Sequence, residues 1–386
     1  MNILEEVFKL KDYIIEQRNY FHAHPELGLQ EFNTAKHIEE ELSKIGIPFY
    51  RIKPTNIIAQ IDSGIPGKTI FLRSDIDALP IQEKNDVTYK SQNDGIMHAC
   101  GHDGHTAYLL GVAKLLYEKK SQFKGKVILC FQAAEEIGKG ARDIIAQGVL
   151  DNVDGIFGIH FEPGLDVGKY AIKFGADMAS CDRFKITIHG KSAHITTPQN
   201  GSDSLFIAAS IATQIQTLVS RLISPVEGAL IGIGSFHSGT TYNIIPGQAV
   251  LEGTIRAFSD SNRKMLSHAV KKIAEDTAKT YGAKAEFFIE DICDPCTNSD
   301  EAVKLAIQSA KKIVNEQNII NPDKRFLSDN FADYMRKAPG VYVHVGSSDS
   351  KKNSYPLHNE NFDLAEDSCV YACALAIQYT QDFLAR

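Results

Sequence analysis

Residues 105–131, HTAYLLGVAKLLYEKKSQFKGKVILCF, contain a helix pattern followed at once by a strand pattern. In residues 105–120 the apolar side chains recur at intervals of three and four, which is the spacing of an amphipathic helix. KVILCF (126–131) is a short apolar run of the kind that forms a buried strand. This order favours a parallel sheet that is covered by helices.

Apolar runs on both sides extend the same pattern. TIFLR (69–73) and GIFGIH (155–160) have the composition of buried strands, and GVYVHVG (340–346) precedes a closing helix that begins near residue 364. We therefore predict an α/β fold in which residues 1–181 and 291–386 form one discontinuous domain. Its mostly parallel sheet should carry helices on both faces.

The rhythm changes between residues 182 and 290. Four strand patterns and two long amphipathic helix patterns follow one another in the order β-α-β-β-α-β. This order is typical of a ferredoxin-like split unit. The sequence therefore predicts that residues 182–290 form a smaller α+β domain inserted into the larger one.

The composition narrows the class of partner. The chain has 386 residues, a formal net charge of −7 and 43% hydrophobic residues, with no long basic run. Nucleic acid and membrane surfaces are therefore not expected as partners, and small molecules or other subunits are. The charged N-terminal pattern predicts an amphipathic helix rather than a secretory signal. Seven cysteines form a poor disulfide framework, so we expect a cytoplasmic protein.

HACGHDGHTA (98–107) concentrates residue types that bind metals. Cys100 and His102 can point into a single site if the glycine between them lets the backbone turn sharply. The alternative is a plain helix N-terminus in which Asp103 and Thr106 are capping residues.

Carboxylates follow two of the predicted strands. Glu135 and Glu136 come just after 126–131, where one can bind a metal while the other faces an activated water. An exposed, solvated pair is the alternative. Asp75 and Asp77 follow the strand at 69–73, where an aspartate can orient a histidine ligand, although an Asx-turn has the same pattern.

Two further histidines complete a candidate ligand set. His160 ends a strand pattern and His358 lies in the polar segment YPLHNENFD, and either one alone is typical of a structural histidine. Together the candidates exceed one tetrahedral zinc site and suffice for two ions that share a bridging group. The set is Cys100, His102, Glu136, His160 and His358.

Seven motifs occur in an order that resembles a known family. They are RSDIDALP, HACGHDGHTA, QAAEE, GIH, GKSAH, YNIIPG and LHNENFD. The sequence is similar to the two-metal peptidases, in the branch of aminoacylases, hippurate hydrolases and indole-acetyl amino acid amidohydrolases. FHAHPELGLQE (21–31) also resembles that family's opening motif, so the resemblance covers nearly the whole chain.

The resemblance implies roles for the first group of residues. The five candidate ligands named above would bind the metals, and Glu135 would be the general base. Asp77 would keep the family's orienting position, whereas Asp75 occupies the place of a histidine ligand in related peptidases. The inserted domain would act as a lid or dimerisation domain.

The resemblance also implies substrate contacts. His194 matches a histidine that reaches the scissile carbonyl, and Asn243 and Arg256 match positions that hold the substrate's carboxylate. An ordinary loop histidine and a surface ion pair are the alternatives for His194 and Arg256. One departure is Asn330, an amide in Ser-Asp-Asn-Phe where relatives carry an acid, which leaves fine substrate positioning open.

The implied activity is metal-dependent hydrolysis of N-acyl amino acids, with two zinc or manganese ions per subunit. Cobalt or nickel would suit the same donors. The implied partner is a small-molecule substrate, and a homodimer is expected as in relatives. The alternatives are a dipeptidase or carboxypeptidase of the same two-metal type and a non-catalytic, metal-stabilised binding protein.

Overall fold

The computed structural model describes residues 2–349 and 355–386. The helices in these ranges are α1 (Ile3–Phe8), α2 (Lys11–Ala23), α3 (Phe32–Ile45), α4 (His102–Glu118), α5 (Ala141–Ala146), α6 (Ser204–Leu222), α7 (Asp260–Thr280), α8 (Asp300–Ala310), α9 (Phe331–Tyr334) and α10 (Glu366–Leu384). The strands are β1 (Phe49–Ile52), β2 (Asn56–Asp62), β3 (Thr69–Asp75), β4 (Lys126–Gln132), β5 (Gly155–Asp166), β6 (Tyr170–Ile172), β7 (Gly175–Met178), β8 (Cys181–His189), β9 (Ala193–His194), β10 (Ala229–Ser238), β11 (Ile244–Ile245), β12 (Gln248–Ala257), β13 (Lys284–Cys293), β14 (Cys296–Asn298), β15 (Ile319–Ile320) and β16 (Gly340–Ser348).

The chain divides into two compact units. The first unit comprises Met1–Gly175, Thr297–Asp323 and Asp329–Arg386. The second unit comprises Ala176–Cys296 together with Lys324–Ser328. The bounds 182–290 that we derived from the sequence for an inserted domain stay a prediction.

The first unit contains an eight-stranded sheet with the order β1-β2-β4-β3-β5-β16-β6-β15. The central strands β4, β3, β5 and β16 run parallel to their neighbours in this group, whereas β1, β2 and β6 add antiparallel pairings. The three strands predicted from short apolar runs near residues 69, 126 and 155 are thus adjacent and parallel. Because their carboxyl ends meet at one edge, the residues that follow them come together there.

Alternation along β3 explains why both faces of this sheet are covered. Ile70 and Leu72 lie in the large core shared with α2, α3, α4 and α10. Phe71 points to the opposite face, where its ring centroid lies 5.0 Å from that of Tyr334 in α9. The prediction of an α/β fold with a mainly parallel sheet and helices on both faces is confirmed.

Helix α4 is held in the core by close contacts at two glycines. A Cβ atom on Gly104 would lie 2.6 Å from Leu364, and one on Gly111 would lie 2.9 Å from Ile14. Glycine inside a helix lowers the stability of the helix by about 1 kcal/mol relative to alanine. At these two positions it allows neighbouring side chains to pack closely against the helix. The packing fixes the N-terminal end of α4, where His102 lies.

The second unit has a four-stranded antiparallel sheet with the order β10-β12-β8-β13. With α6 and α7 packed against it, the unit has the β-α-β-β-α-β arrangement predicted for a ferredoxin-like fold. Among the described residues one helix, α6, is long and apolar enough to cross a membrane by length and composition alone. Its Ile207, Ile211 and Ile215 are buried in the core of this unit.

Candidate metal centre

The first unit brings together the five predicted ligands and Glu135. Each residue offers one ligand atom, and within each group these atoms all lie within 4.8 Å of one another. The groups are Cys100, His102 and His160; Cys100, Glu136 and His358; His102, Glu135 and Glu136; and Asp75, His102 and His105. The overlap of these groups makes one continuous cluster at the carboxyl edge of the parallel strands.

Asp77 contacts two members of this cluster. Its backbone carbonyl oxygen lies 2.9 Å from Nδ1 of His102, which therefore carries the ring hydrogen. Its carboxylate Oδ2 accepts a hydrogen bond of 3.0 Å from the backbone N–H of Glu136. With Nδ1 occupied, Nε2 of His102 faces two carboxylates, Asp75 Oδ2 at 3.5 Å and Glu136 Oε1 at 4.0 Å. Fixing one ring nitrogen in this way orients the other toward a metal.

His160 and Cys100 face each other across the same cluster. Nδ1 of His160 donates to the carbonyl oxygen of Phe161 at 2.7 Å, so its lone pair is on Nε2. That Nε2 lies 3.4 Å from Cys100 Sγ. Gly101, with φ of 91°, makes the sharp turn that the sequence predicted between Cys100 and His102.

His358 closes the cluster on its solvent side. Its side chain is 52% exposed, and its Nε2 lies 3.4 Å from Glu136 Oε1. The residue adopts a left-handed conformation, with φ of 63°, and its backbone N–H donates to Ala99 O at 2.7 Å. Strained conformations of non-glycine residues persist where the surrounding structure fixes them, and functional sites are enriched in them.

The donor set fits a divalent metal. Glu136 Oε1 is buried and makes no hydrogen bond of regular geometry with the described residues, although Nε2 of His358 lies 3.4 Å away. A buried, unpaired carboxylate oxygen is costly unless a cation is bound to it. One thiol, one carboxylate and three imidazole nitrogens suit zinc and other borderline ions.

His105 belongs to the cluster but is not available as a ligand. Its Nδ1 donates to Asp75 Oδ1 at 2.5 Å, and its Nε2 accepts from the N–H of Phe161 at 3.2 Å. Asp75 also accepts from Arg73 Nη1 at 2.6 Å. The sequence motifs predicted no role for His105 or Arg73. A charged residue that ends an otherwise apolar strand, as in TIFLR, is the signal that points to Arg73.

The hydrogen bonds of Asn330 suit an amide at the position where related sequences carry an acid. Its Oδ1 accepts from Arg73 Nη2 at 3.1 Å and from Gln132 Nε2 at 2.8 Å, while its Nδ2 donates to Lys139 O at 2.8 Å. An ionised aspartate has no hydrogen to donate to Lys139. The backbone N–H of Asn330 also donates to Glu135 Oε1 at 3.3 Å. The amide is therefore matched to its surroundings.

The capping interpretation of the decapeptide is wrong. Helix α4 begins after Gly101, and no side chain caps its N-terminus. Asp103 instead accepts from Arg18 Nε at 2.8 Å, and the hydroxyl of Thr106 donates to His102 O at 2.8 Å.

The second unit contains the predicted substrate residues His194 and Asn243. His194 is exposed on β9, which pairs with β11, and the N–H of Ile195 donates to Asn243 O at 3.1 Å. The backbone N–H of Thr196 donates to Nδ1 of His194 at 3.3 Å. In the neutral ring the hydrogen is therefore on Nε2, which makes that nitrogen a donor.

Arg256 contacts the segment 324–328 within the second unit. Its Nη1 donates to Phe326 O and to Ser328 Oγ, each at 3.0 Å. One nitrogen of the guanidinium group is thus hydrogen-bonded within the second unit.

Comparison with known proteins assigns the family. The sequence model described as Peptidase family M20/M25/M40 matches residues 71–382. The chain belongs to this family. An M20 member from Bacillus subtilis, solved as a dinuclear metal binding peptidase, superposes with a TM-score of 0.85 at 34% identity, over 98% of this chain and 99% of that one.

Two relatives of this M20 chain are named for the hydrolysis of amide bonds. Thermostable carboxypeptidase 1 of Saccharolobus solfataricus is 38% identical, over 94% of this chain and 93% of its own length. N-acetylcysteine deacetylase of Bacillus subtilis is 37% identical, over 93% of each chain. The protein is accordingly a hydrolase that acts on amide bonds.

Electrostatics separate the two adjacent glutamates of this M20 hydrolase. Burial raises the pKa of Glu135 well above its usual range, and the negative charges of Asp329 and Glu136 raise it further. Burial also acts to raise the pKa of Glu136, but the adjacent imidazole of His358 and the charge of His102 lower it overall. Two carboxyls whose pKa values are driven apart can divide the tasks of proton transfer and charge.

Proposed function

We propose that the protein hydrolyses the amide bond of N-acyl amino acids, with N-acetyl, N-benzoyl or similar acyl groups, and releases the free amino acid and a carboxylic acid. The observation that carries the proposal is Glu135, a partly exposed carboxylate beside the ligand cluster. Structural zinc sites are closed by four protein ligands, so a free carboxylate at the cluster argues against a purely structural site. The N-acetylcysteine deacetylase relative supports an acylated amino acid as substrate.

Two divalent ions, zinc or manganese, are part of this proposal, and cobalt or nickel would suit the same donors. The residues that would hold them are Cys100, His102, Glu136, His160 and His358. When bound, such ions lower the pKa of a shared water and polarise the substrate carbonyl.

Glu135 carries the proton in the proposed reaction. It takes a proton from the attacking water, whose oxygen forms the new bond to the amide carbon. It then gives that proton to the amine nitrogen as the carbon–nitrogen bond breaks. The N–H of Asn330 holds Oε1 of Glu135 at 3.3 Å, which orients the carboxylate and directs transfer to its other oxygen.

Three residues of the second unit are proposed substrate contacts. His194 would donate from Nε2 to the carbonyl oxygen, and its tautomer, fixed by the Thr196 N–H, supports that role. Asn243 and Arg256 would bind the carboxylate of the amino acid. This role is supported by the match of both residues to positions that hold the substrate's carboxylate in the family. We further propose a homodimer in the cytoplasm that binds neither nucleic acid nor membrane, and sedimentation analysis tests the dimer.

A carboxypeptidase or dipeptidase is the second candidate. The observation that favours it is the 38% identity to thermostable carboxypeptidase 1. Such a substrate has the same carboxylate and scissile amide, but its acyl group is a peptide or an amino acid with a free amino group.

A substrate panel separates the two candidates. Protein reconstituted with zinc or manganese is assayed on N-acetyl, N-benzoyl and N-indoleacetyl amino acids, on dipeptides and on blocked peptides. We expect kcat/KM at least tenfold higher on an acylated amino acid than on any peptide. The reverse order would establish the carboxypeptidase, and no hydrolysis of any substrate with either metal would refute both.

A variant tests the assigned base. Glu135→Gln should keep its metal content and lose at least a hundredfold in kcat, because general base catalysis contributes roughly 10²–10⁴-fold. Glu316→Gln, at an exposed glutamate paired with Lys311, is the matched control and should keep full activity.

A further inference from the structure

Residues 22–31, within FHAHPELGLQE, precede the residues 71–382 that the family model matches. The proposed reaction assigns them no role. In the structure, three groups of this segment each contact the residue immediately next to a predicted site residue. All of these contacts lie within the first unit.

The first contact supports His102. Nδ1 of the buried His22 lies 2.7 Å from Asp103 Oδ2, and its Nε2 lies 3.1 Å from Glu83 Oε1. A carboxylate only accepts hydrogen bonds, so the ring nitrogens are placed to donate to Asp103 and Glu83, and Arg18 Nε also donates to Asp103 Oδ2 at 2.8 Å. Asp103 directly follows His102, so His22 fixes the first turn of α4 from behind.

The second contact supports Asp77. The backbone N–H of Ala78 donates to the carbonyl oxygen of Glu26 at 2.9 Å. Leu27 and Ala78 also form an isolated parallel bridge. The segment therefore runs alongside the chain that presents Asp77.

The third contact supports Glu135 and Glu136. Buried Glu31 accepts from the backbone N–H of Ala134 at 2.8 Å and from the hydroxyl of Thr55 at 2.6 Å. Ala134 has φ of 57°, a left-handed conformation that a residue with a Cβ atom disfavours. The hydrogen bond from Ala134 holds this conformation and so sets the direction in which the next two residues leave the strand.

We propose that residues 22–31 act as a brace for the metal centre, in which His22 and Glu31 are positioning residues for His102 and for the Glu135–Glu136 turn. Glu31 acts as a hydrogen-bond acceptor and not through its charge. The brace rests on the proposed function only where activity is the readout. Measuring the affinity for zinc tests the brace without any substrate.

The Glu31 contact is tested by a set of three variants. Glu31→Ala should weaken zinc binding by about 10–100-fold, the usual effect of removing a group that orients ligands, and should lower kcat at saturating zinc at least tenfold with KM unchanged. Glu31→Gln should stay within threefold of wild type, because its amide oxygen accepts from Ala134 and its amide nitrogen donates to Thr55. Adding Ala134→Gly to Glu31→Ala should restore at least threefold in both quantities, since glycine adopts the left-handed conformation freely.

The matched control is Glu41→Ala. Glu41 is also a buried glutamate, and it accepts from the hydroxyl of Tyr13 at 2.9 Å and from Lys44 at 2.6 Å, away from the cluster. It should lower Tm and leave zinc affinity and kcat unchanged. His22→Asn tests the contact between His22 and Asp103 and should weaken zinc binding by about 10–100-fold.

Zinc dissociation constants are measured by competition with a chelator. Zinc affinity within twofold of wild type in both His22→Asn and Glu31→Ala overturns the brace. So does a loss in Glu31→Ala that Glu31→Gln shares fully and Ala134→Gly does not relieve. If wild-type protein binds zinc but hydrolyses no substrate, the proposed function fails while these affinities still decide the brace.

Discussion

Asp77 contacts His102 chiefly through its backbone carbonyl and Glu136 through its side chain. The carbonyl oxygen of Asp77 lies 2.9 Å from His102 Nδ1, and its Oδ2 accepts from the Glu136 N–H at 3.0 Å. A side-chain substitution therefore removes the contact to Glu136 and leaves the carbonyl contact to His102 in place. Because Oδ1 of Asp77 also lies 3.4 Å from His102 Nδ1, the substitution weakens a secondary contact to His102 as well.

Asp77→Ala should weaken zinc binding by about 10–100-fold, because the turn that carries Glu136 loses its acceptor. Asp77→Asn retains an amide oxygen that can accept the same hydrogen bond, so its loss should be at least threefold smaller. Chelator competition measures both constants. Equal losses in the two variants would show that the charge of Asp77, and not its hydrogen bond, supports the cluster.

Cys100→Ser should change metal preference. A thiolate favours zinc strongly, whereas manganese prefers oxygen ligands, so zinc affinity should fall more than tenfold and manganese affinity by less than threefold. Isothermal titration with each metal is the measurement. Cys130→Ser, at a buried thiol beside Tyr334, is the control and should leave both affinities unchanged. An unchanged zinc affinity in Cys100→Ser would remove Cys100 from the ligand set.

Arg73→Met should destabilise the fold strongly. Arg73 is buried and pairs with Asp75 at 2.6 Å and with Asp329 at 3.0 Å. Removing one side of a buried ion pair costs about 3–5 kcal/mol, because the carboxylates stay buried without a partner. Arg51→Met, which breaks the more exposed pair with Glu39, should cost less than about 1 kcal/mol. Urea unfolding of metal-free protein compares them, and similar costs would contradict this prediction.

Asn330→Asp should be destabilising in a pH-dependent way. The new carboxylate would face Lys139 O and lie beside Asp329 and Glu135, so the loss at pH 8 should be about 1–3 kcal/mol. Burial and the charges of Asp329 and Glu135 raise the folded-state pKa of that carboxyl above its unfolded value, against the opposing charge of Arg73. The folded state then binds more protons, and the loss should shrink at pH 5. Asn315→Asp, at an exposed position, should show neither effect in urea unfolding at the two pH values.

His37 makes the stability of the first unit depend on pH. Burial is the main cause that lowers its pKa below the usual 6.5, and its Nε2 donates to Gln17 Oε1 at 2.8 Å. The unfolded chain therefore takes up the proton first, and stability present above pH 6.5 is lost as pH falls below that value. His37→Gln keeps a donor for Gln17 without titrating. Wild type should lose more unfolding free energy than His37→Gln between pH 7.5 and 5.5, and equal losses would contradict the assignment.

The sequence determined the elements and the edge at which the site forms. Periodic apolar spacing predicted α4, and the short apolar runs predicted β3, β4 and β5. The buried positions of one helix or strand follow from residues that are close together in the sequence. Parallel strands bring their carboxyl ends together, so the strand-end acids and His160 were expected at one edge. The β-α-β-β-α-β order of the second unit was predicted from the sequence for the same reason.

Tertiary structure alone decided what each polar side chain does there. His102 and His105 lie three apart in one peptide, yet only His105 has both ring nitrogens occupied, by Asp75 and Phe161. The contact of Glu31 with Ala134 joins residues 103 positions apart in the chain. Hydrophobic periodicity depends on neighbours in sequence, whereas a hydrogen bond depends on which distant groups the packed core brings within about 3 Å, so the partners of a buried polar group follow from the fold and not from local pattern.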